Sequence, residues 1–279
     1  MAKHAAVLAA ALLLMGAAGK PASPPAPLDL SRFELVDLTH AFGADTVYWP
    51  TSPIGFEMQP ISKGMTEGGW YYSANRFCAA EHGGTHLDAP VHFSESGDTA
   101  DRVPLERLIA PAIVLDVSAQ ASGNPDYQAT AADVQAFEAR HGKIPKGSIV
   151  LLRTGWSRRW PDRKAYLGDD KKGDASNLHF PGWGPSAAKI LVEERGAAAL
   201  GLDTASLDPG NSKDFAVHRL AAARNVPGLE NLKDLEKLPA KGAWLLALPM
   251  KIEGGTGGPL RAVALVPRSS TSSRQPGPP

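Results

Sequence analysis

The segment Glu81–Phe93, with the sequence EHGGTHLDAPVHF, groups four side chains that can bind a metal ion. His82, His86, Asp88 and His92 lie within eleven residues of one another, whereas the whole chain of 279 residues has only 8 histidines. Neutral imidazole and carboxylate groups are ligands that Zn²⁺ and Mn²⁺ take in proteins. The segment therefore predicts a site for a divalent metal ion.

The same segment is predicted to be extended, because Gly83, Gly84 and Pro90 all disfavour the interior of a helix. In an extended chain, side chains two residues apart point to the same side, so His86 and Asp88 can converge on one ion. The two glycines give the backbone the freedom to bend and bring the preceding histidine to the same point. The spacing is therefore compatible with a single metal centre.

Balanced charge and an ordinary composition indicate a soluble globular protein. Lys and Arg number 29, Asp and Glu also number 29, and 43% of the residues are hydrophobic. This balance offers no basic surface for nucleic acid or an anionic membrane, so no nucleic-acid partner is expected. A single cysteine excludes an intrachain disulfide.

The two ends of the chain differ in composition from the rest. Residues 1–22 resemble a secretory signal peptide, with a basic start, an apolar run and small residues before a cleavage region. The apolar run is shorter than the ~20 residues that cross a bilayer, so we expect a periplasmic or secreted protein without stable membrane insertion after signal removal. Residues 23–32 are predicted to be a Pro-rich linker, 33–267 one folded domain and 268–279 a disordered tail.

The periodicity of apolar residues predicts a mixed α/β fold. The predicted strands are 33–40, 111–117, 148–153, 197–203, 244–248 and 260–266, and the predicted helices are 130–140, 185–195 and 213–224. Strands and helices alternate after residue 110, which is typical of α/β architecture, while the N-terminal half is richer in strands. The polar segment 157–182 is interpreted as an excursion or a lid-like loop.

Aromatic residues ahead of the histidine segment predict an apolar substrate pocket. Trp49, Trp70, Tyr71 and Phe77 are candidate substrate-binding residues, because flat aromatic side chains commonly form the walls of ligand pockets. Packing in the hydrophobic core is the alternative interpretation for each of them.

The histidine segment also carries a family resemblance. It matches HxGTHxDxPxHF, the signature of the cyclase-like metal hydrolases, the family that includes bacterial kynurenine formamidase and isatin hydrolase. Further matches to the family pattern follow in order: Asp203-Thr204, Ser206, Asp208-Pro209, Ser212-Lys213, His218 and Glu230. The resemblance extends over residues 33–267 and implies a single-domain swivelling β/β/α fold.

The resemblance also implies the roles of individual residues. It assigns the primary metal ligands to His82, His86 and Asp88, and the catalytic group to His92, His218 and Glu230. In dinuclear family members the catalytic group would hold a second ion, and in mononuclear members it would transfer protons; both alternatives stay open at this point. A homodimer is implied by the resemblance alone.

The resemblance and the donor set together suggest metal-assisted hydrolysis. A divalent ion lowers the pKa of a bound water from ~15.7 toward ~7, which yields a hydroxide that can attack an amide carbonyl at neutral pH. Either His92 or Glu230 could then protonate the leaving nitrogen. The expected cofactor is Mn²⁺ or Zn²⁺, and the expected partner is a small aromatic amide.

Two family activities suit an aromatic pocket. Opening of the isatin lactam to isatinate is favoured, because residues 69–93 look more similar to the isatin hydrolase branch and export fits poorly with a cytoplasmic step of tryptophan degradation. Hydrolysis of N-formylkynurenine to kynurenine and formate is the alternative. An alternative from another class is an exported metal-binding protein without turnover.

Overall fold

The computed structural model describes residues 29–268, which from Ser31 onward form one compact unit. The predicted signal peptide, residues 23–28 of the predicted linker and residues 269–279 of the predicted tail lie outside the described residues. The strands are β1 Phe33–Asp37, β2 Glu57–Met65, β3 Tyr71–Cys78, β4 His86–Asp88, β5 Ile109–Asp116, β6 Gln128–Ala129, β7 Ile149–Arg153, β8 Gly182–Trp183, β9 Ala199–Leu202, β10 Gly228–Glu230, β11 Ala243–Pro249 and β12 Gly257–Pro267. The helices are α1 Leu105–Leu108, α2 Ser118–Gly123, α3 Ala131–His141, α4 Arg163–Leu167, α5 Pro185–Lys189, which continues as a π-helix over Ile190–Glu194, and α6 Ala216–Ala222. Short 3-10 turns span Leu30–Arg32, Pro90–His92, Trp156–Arg159 and Leu235–Lys237.

An eight-stranded sheet that closes on itself forms the centre of the fold. Its strand order is β1-β12-β11-β5-β7-β9-β10-β4, and an additional pairing of β12 with β4 closes the ring. The pairs β5–β7, β7–β9 and β9–β10 are parallel, and the remaining pairs of the sheet are antiparallel. This mixed architecture confirms the predicted α/β class.

The central parallel strands are apolar on both faces, as expected for strands covered on both sides. Val114 of β5 and Leu151 of β7 belong to the core inside the closed sheet. Their sequence neighbours Ile113 and Val150 point the other way, into a second core that also contains Phe137 of α3. Alternating side chains of the same strands therefore build two separate cores.

Helix α3 begins and ends as the sequence predicts. The Thr130 side chain accepts a hydrogen bond from the backbone of Asp133, whose carboxylate accepts one from the backbone of Thr130, which completes a capping box. The helix ends at Gly142, which has a φ of 76°. Because Val134 and Phe137 are buried, one face of the helix packs on the sheet.

Of the two interpretations of residues 157–182, the structure shows an excursion between β7 and β8 and contradicts the lid-like loop. This segment contains α4, and its side chains Tyr166, Leu178 and Phe180 are fully buried in a third core cluster together with Trp156. Polar residues between these apolar positions mask the pattern in the sequence. The segment is a packed part of the fold.

Strands β2 and β3 form a separate two-stranded antiparallel hairpin. Its large apolar side chains are exposed: Met58 64%, Ile61 68%, Met65 68%, Trp70 62%, Tyr71 59%, Tyr72 51% and Phe77 54%. The hairpin therefore presents an apolar surface outside the cores. Within residues 29–268, we found no helix long and apolar enough to cross a membrane.

Candidate metal centre

The register of the closed sheet joins the two groups of candidate residues. On the antiparallel pair β4–β10, His86 lies opposite Glu230 and Asp88 lies opposite Gly228. All three polar side chains are buried. A Cβ atom on Gly228 would lie 2.9 Å from a side-chain carbon of Leu207, so glycine allows Leu207 to pack against this strand.

Two overlapping sets of side chains have the geometry of metal ligands. His82, His86 and Asp88 form one set, and Asp88, His218 and Glu230 form the other. Within each set, the candidate ligand atoms all lie within 4.8 Å of one another. Asp88 belongs to both sets, so these five residues make one centre that can hold a divalent metal ion.

The electrostatics of the centre favour a bound cation. Burial and the charge of Asp88 raise the pKa of Glu230, because two carboxylates are enclosed together. Burial alone would raise the pKa of Asp88, but the neighbouring His82 and His86 rings hold it well below its usual range. Burial opposes protonation of His86, yet Asp88 and Glu230 raise its pKa to about 9. The donor set therefore attracts positive charge, which fits a divalent ion.

Two of the imidazoles are oriented by hydrogen bonds behind the centre. His86 Nδ1 lies 3.0 Å from the carbonyl oxygen of Gly84, which can only accept, so Nδ1 donates and Nε2 faces the centre. His218 Nδ1 lies 2.6 Å from Asp208 Oδ2, and its Nε2 lies 3.1 Å from Asp88 Oδ2. Such partners behind the ligands commonly orient metal-binding imidazoles.

Asp208 also fixes the start of α6. Its two carboxylate oxygens accept hydrogen bonds from the backbone N–H groups of Val217 at 2.9 Å and His218 at 3.0 Å. Phe215, the residue before the helix, has a φ of 49°, and the helix begins at Ala216 rather than at the predicted residue 213. Asp208 stands in the sequence pattern, but the sequence alone assigns it no role.

A second buried network supports the histidine segment. Asn231 Nδ2 donates to the carbonyl oxygen of Gly84 at 2.8 Å, and Tyr166 donates through its hydroxyl to Asn231 Oδ1 at 2.9 Å. Thr85 Oγ1 donates to the backbone oxygen of Asn231 at 2.6 Å. Gly84 has a φ of 60°, in the left-handed region that glycine adopts readily. The bend before His86 is therefore held by buried hydrogen bonds.

A cavity of about 230 Å³ opens directly onto the metal centre. Trp49, Phe93 and Phe215 line it together with all six predicted metal and catalytic residues. The sequence predicts Trp49 but misses Phe93 and Phe215, although Phe93 ends the histidine signature itself. A centre open to a cavity is typical of catalytic rather than closed structural metal sites.

The remaining predicted substrate-binding residues do not line this cavity. Trp70, Tyr71 and Phe77 project from the exposed β2–β3 hairpin, and Phe77 stacks on Phe56 at a ring distance of 5.7 Å. Their role as substrate-binding residues therefore stays a prediction, and it is not fulfilled by the cavity of their own chain. Aromatic composition does not reveal the direction in which a two-stranded hairpin presents its side chains.

His92 occupies a different position from the five ligand residues. Its ring stacks on that of His82, with centroids 3.8 Å apart and planes 19° from parallel. Burial lowers the pKa of His92 to about 4, although the ring is open to solvent on the side of the cavity. At neutral pH the ring is therefore uncharged and can accept a proton.

The closed mixed sheet and its buried His/Asp/Glu centre beneath an aromatic cavity define a metal-dependent hydrolase. The family model "Putative cyclase" matches residues 36–209. An isatin hydrolase from Roseibium aggregatum is 37% identical over 250 residues, covering 85% of this chain and 93% of that protein. The chain belongs to the putative cyclase family.

Two further relatives agree with this assignment. A kynurenine formamidase from Salinibacter ruber is 27% identical over 82% of this chain and 96% of its own length. The crystal structure of an isatin hydrolase bound to the product analogue thioisatinate superposes with a TM-score of 0.79 at 36% identity, covering 85% of this chain and 94% of that one. The similarity therefore extends over nearly the full length of these relatives.

Proposed function

We propose that this protein hydrolyses the C–N amide bond of a small aromatic substrate, and that its reaction is the opening of the isatin lactam to isatinate. The observation that carries the proposal is the buried His/Asp/Glu centre at the floor of an aromatic cavity. The isatin hydrolase from R. aggregatum supports the choice of substrate, because it is 37% identical over most of both chains.

The five ligand residues would hold Mn²⁺ or Zn²⁺, since both ions accept imidazole nitrogen and carboxylate oxygen. A divalent cation held there supplies Lewis-acid activation of the amide carbonyl and of water. Asp88 links the two ligand sets, so its position governs both. Glu230 accepts a hydrogen bond from the backbone of Leu207 at 2.7 Å, which fixes one carboxylate oxygen at the centre.

The cavity would orient the substrate by its shape. Trp49, Phe93 and Phe215 offer ring faces and edges to a planar aromatic system, with Phe93 and Phe215 centroids 5.4 Å apart. A ring held among them has its amide group directed at the floor of the cavity. With the substrate bound, a cavity of about 230 Å³ leaves little room for water beside the amide bond that is cleaved.

His92 is the group best suited to move the proton to the leaving nitrogen. It belongs to neither ligand set, whereas His218 and Glu230 contact each other at 3.0 Å within one of them. Its neutral ring accepts a proton from the attacking water and returns it to the nitrogen of the opened lactam. His218 and Glu230 then serve to hold the cation and shape its surroundings.

Hydrolysis of N-formylkynurenine is the second candidate function. It is supported by the kynurenine formamidase from S. ruber, which aligns with this chain over 96% of its own length. Both reactions break an amide bond next to an aromatic ring, so the same centre and cavity could serve either. The lower identity of 27% is the reason to rank it second.

We further propose that the protein forms a homodimer and is exported. The apolar surface of the β2–β3 hairpin supports dimerisation, because soluble monomers rarely expose large apolar patches. In a dimer, contact of Trp70, Tyr71 or Phe77 with substrate would take place in the pocket of the second copy. The signal-like composition of residues 1–22 supports a periplasmic or secreted location.

A comparison of two substrates tests the proposed function. Purified protein is stripped of metal, reloaded with Mn²⁺ or Zn²⁺, and given isatin and N-formylkynurenine in parallel. We expect kcat/KM to be at least about tenfold higher for isatin, which corresponds to a difference of about 1.4 kcal/mol in transition-state stabilisation. A preference for N-formylkynurenine would reverse the ranking, and turnover of neither would reject the amide hydrolase.

Mass measurement tests the dimer separately. Light scattering on the wild type should give twice the mass of the chain, and Trp70→Glu should shift the protein toward the monomer. Leu105→Glu is the matched control, since Leu105 is equally exposed, at 61% against 62% for Trp70, but lies in α1. A monomeric wild type would reject the homodimer.

A further inference from the structure

His82 is held by a chain of hydrogen bonds that runs away from the metal centre. Its Nδ1 lies 2.6 Å from Asp88 Oδ1, and its Nε2 lies 2.8 Å from the hydroxyl oxygen of Thr256. That hydroxyl lies 2.5 Å from Glu81 Oε2, which also accepts the backbone N–H of Thr256 at 3.0 Å. The two ring nitrogens therefore face different partners.

The positions of the hydrogens follow from the chemistry of these partners. The carboxylate of Glu81 can only accept, and an O···O distance of 2.5 Å is typical of a charge-assisted hydrogen bond. The single hydroxyl hydrogen of Thr256 is therefore donated to Glu81. A lone pair of the hydroxyl oxygen then faces His82 Nε2, so Nε2 must carry a hydrogen. Nδ1 faces the Asp88 carboxylate at 2.6 Å, so it is the ring nitrogen that a cation shared with Asp88 would contact.

We infer that Glu81 and Thr256 are positioning residues that select the Nε2–H tautomer of His82 and so present its Nδ1 to the metal ion. This inference rests on the proposed metal-dependent function. His82 differs in this respect from His86 and His218, which present Nε2 because Gly84 and Asp208 hold their Nδ1 atoms. The tautomer of each imidazole is thus set by a different partner.

The loop that carries Thr256 is built for this close approach. A Cβ atom on Gly257 would lie 2.7 Å from His82 Cε1, and one on Gly255 would lie 2.8 Å from Glu81 Oε1. Only glycines on both sides allow the hydroxyl to reach the space between the imidazole and the carboxylate. The backbone oxygen of Thr256 also accepts the N–H of Ala89, which anchors the loop next to Asp88.

The same arrangement affects the proposed proton carrier. Because His92 stacks on His82 at 3.8 Å, a rotation of the His82 ring would displace the surface on which His92 rests. The hydrogen bond of Thr256 therefore holds two imidazoles in place. A loss of this bond is expected to weaken metal binding first and catalysis as a consequence.

Substitution of Thr256 tests the inference through metal affinity. Thr256→Val keeps the shape and removes the hydroxyl, whereas Thr256→Ser keeps the hydroxyl and removes only the methyl group. Competition with a chelator gives the metal Kd of each full-length protein. We expect Thr256→Val to raise Kd by about 10- to 100-fold, which is the usual effect of losing a partner behind a metal ligand. The Kd of Thr256→Ser should stay within about threefold of the wild-type value.

Thr99→Val is the matched control. The Thr99 hydroxyl donates to Asp101 Oδ1 at 2.6 Å, and Asp101 also accepts a backbone N–H from Gly254 in the loop that carries Thr256. This threonine–carboxylate pair contacts no imidazole in the described structure. Its loss should therefore leave the metal Kd unchanged, even if it lowers the stability of the loop.

Glu81→Ala provides a second test if Thr256→Val does not fold. It removes the carboxylate to which the Thr256 hydroxyl donates, so the hydroxyl hydrogen can turn toward His82 Nε2 and favour the wrong tautomer, and Kd should again rise. An unchanged Kd in a folded Thr256→Val or Glu81→Ala would overturn the inference, as would failure of Thr256→Ser to restore binding. A wild type that binds no metal would instead overturn the proposed function itself.

Discussion

Glu230 and His86 lie directly opposite each other on neighbouring antiparallel strands, with His86 Nε2 3.6 Å from Glu230 Oε2. Opposite residues on such strands share one face of the sheet, so the pairing of β4 with β10 merges the histidine segment with the second group of ligands. His218 joins them from α6, 3.0 Å from Glu230 Oε1. The metal centre is therefore a consequence of how the sheet closes.

Replacement of Glu230 by Gln tests the need for charge at this point. Glu230→Gln keeps the size of the side chain but removes one of two enclosed negative charges, so we expect weaker metal binding and a loss of kcat of at least about 100-fold. Steady-state rates with isatin and the bound metal content measure both effects. Glu236→Gln, at an exposed carboxylate, should behave like the wild type, and near-normal activity of Glu230→Gln would contradict its role.

His92 is expected to act on protons and not to bind the metal. His92→Asn should therefore lower kcat by about 100-fold while the metal Kd stays close to that of the wild type. His86→Ala should lose both metal binding and activity, because His86 belongs to a ligand set. If His92→Asn lost as much bound metal as His86→Ala, His92 would be a metal ligand and not the proton carrier.

Part of this centre is predictable from the sequence because its chemistry is local. His82, His86 and Asp88 stand in one short segment, where glycine and proline indicate an extended chain and the side chains indicate a metal. His218 and Glu230 are ordinary by themselves, and only the spacing of the family pattern distinguishes them. The central strands and α3 are likewise predictable from apolar periodicity and a capping residue.

The remaining features depend on contacts between distant parts of the chain. Thr256 reaches Glu81 across 175 positions, and nothing in the glycine-rich loop around it indicates an imidazole nearby. Asn231 reaches Gly84 across 147 positions. The direction of Trp70 depends on a hairpin that leaves the sheet, which composition cannot reveal. These contacts therefore depend on how distant segments are placed in the fold, which local sequence patterns do not determine.

The buried Tyr166–Asn231 hydrogen bond is expected to stabilise the fold. Tyr166→Phe leaves Asn231 Oδ1 buried without its donor, so the free energy of unfolding should fall by about 1–3 kcal/mol. Tyr127→Phe is the matched control, because its hydroxyl contacts the partly exposed Asp133, which water can solvate when the hydroxyl is removed. Urea unfolding of both variants gives the comparison, and equal losses would contradict the expectation.

His40 should make the protein sensitive to acid. Its ring stacks on Trp160 at 4.2 Å, and burial together with Lys233 lowers its pKa from 6.5 to about 4. Between these values the unfolded chain binds a proton at His40 that the folded protein does not, so stability falls as the pH decreases from 6.5 toward 4.

His40→Phe keeps the stacked ring and removes the titrating group. Between pH 7 and pH 5, the wild type should lose about 1 kcal/mol more unfolding free energy than the variant, a value that allows for the partial solvent access of the ring. Urea unfolding of both proteins at both pH values measures this difference. Because the wild type and the variant have the same metal ligands, the acid sensitivity of those ligands cancels in the comparison. Parallel losses in the two proteins would contradict the assignment.

The most direct test of the account is a metal titration of the stripped protein with isatin present. If the five ligand residues form the active centre, lactam opening should be absent without metal, should rise in proportion to bound Mn²⁺ or Zn²⁺, and should stay absent in His86→Ala. Full isatin turnover by the metal-free protein, or by His86→Ala, would contradict the account.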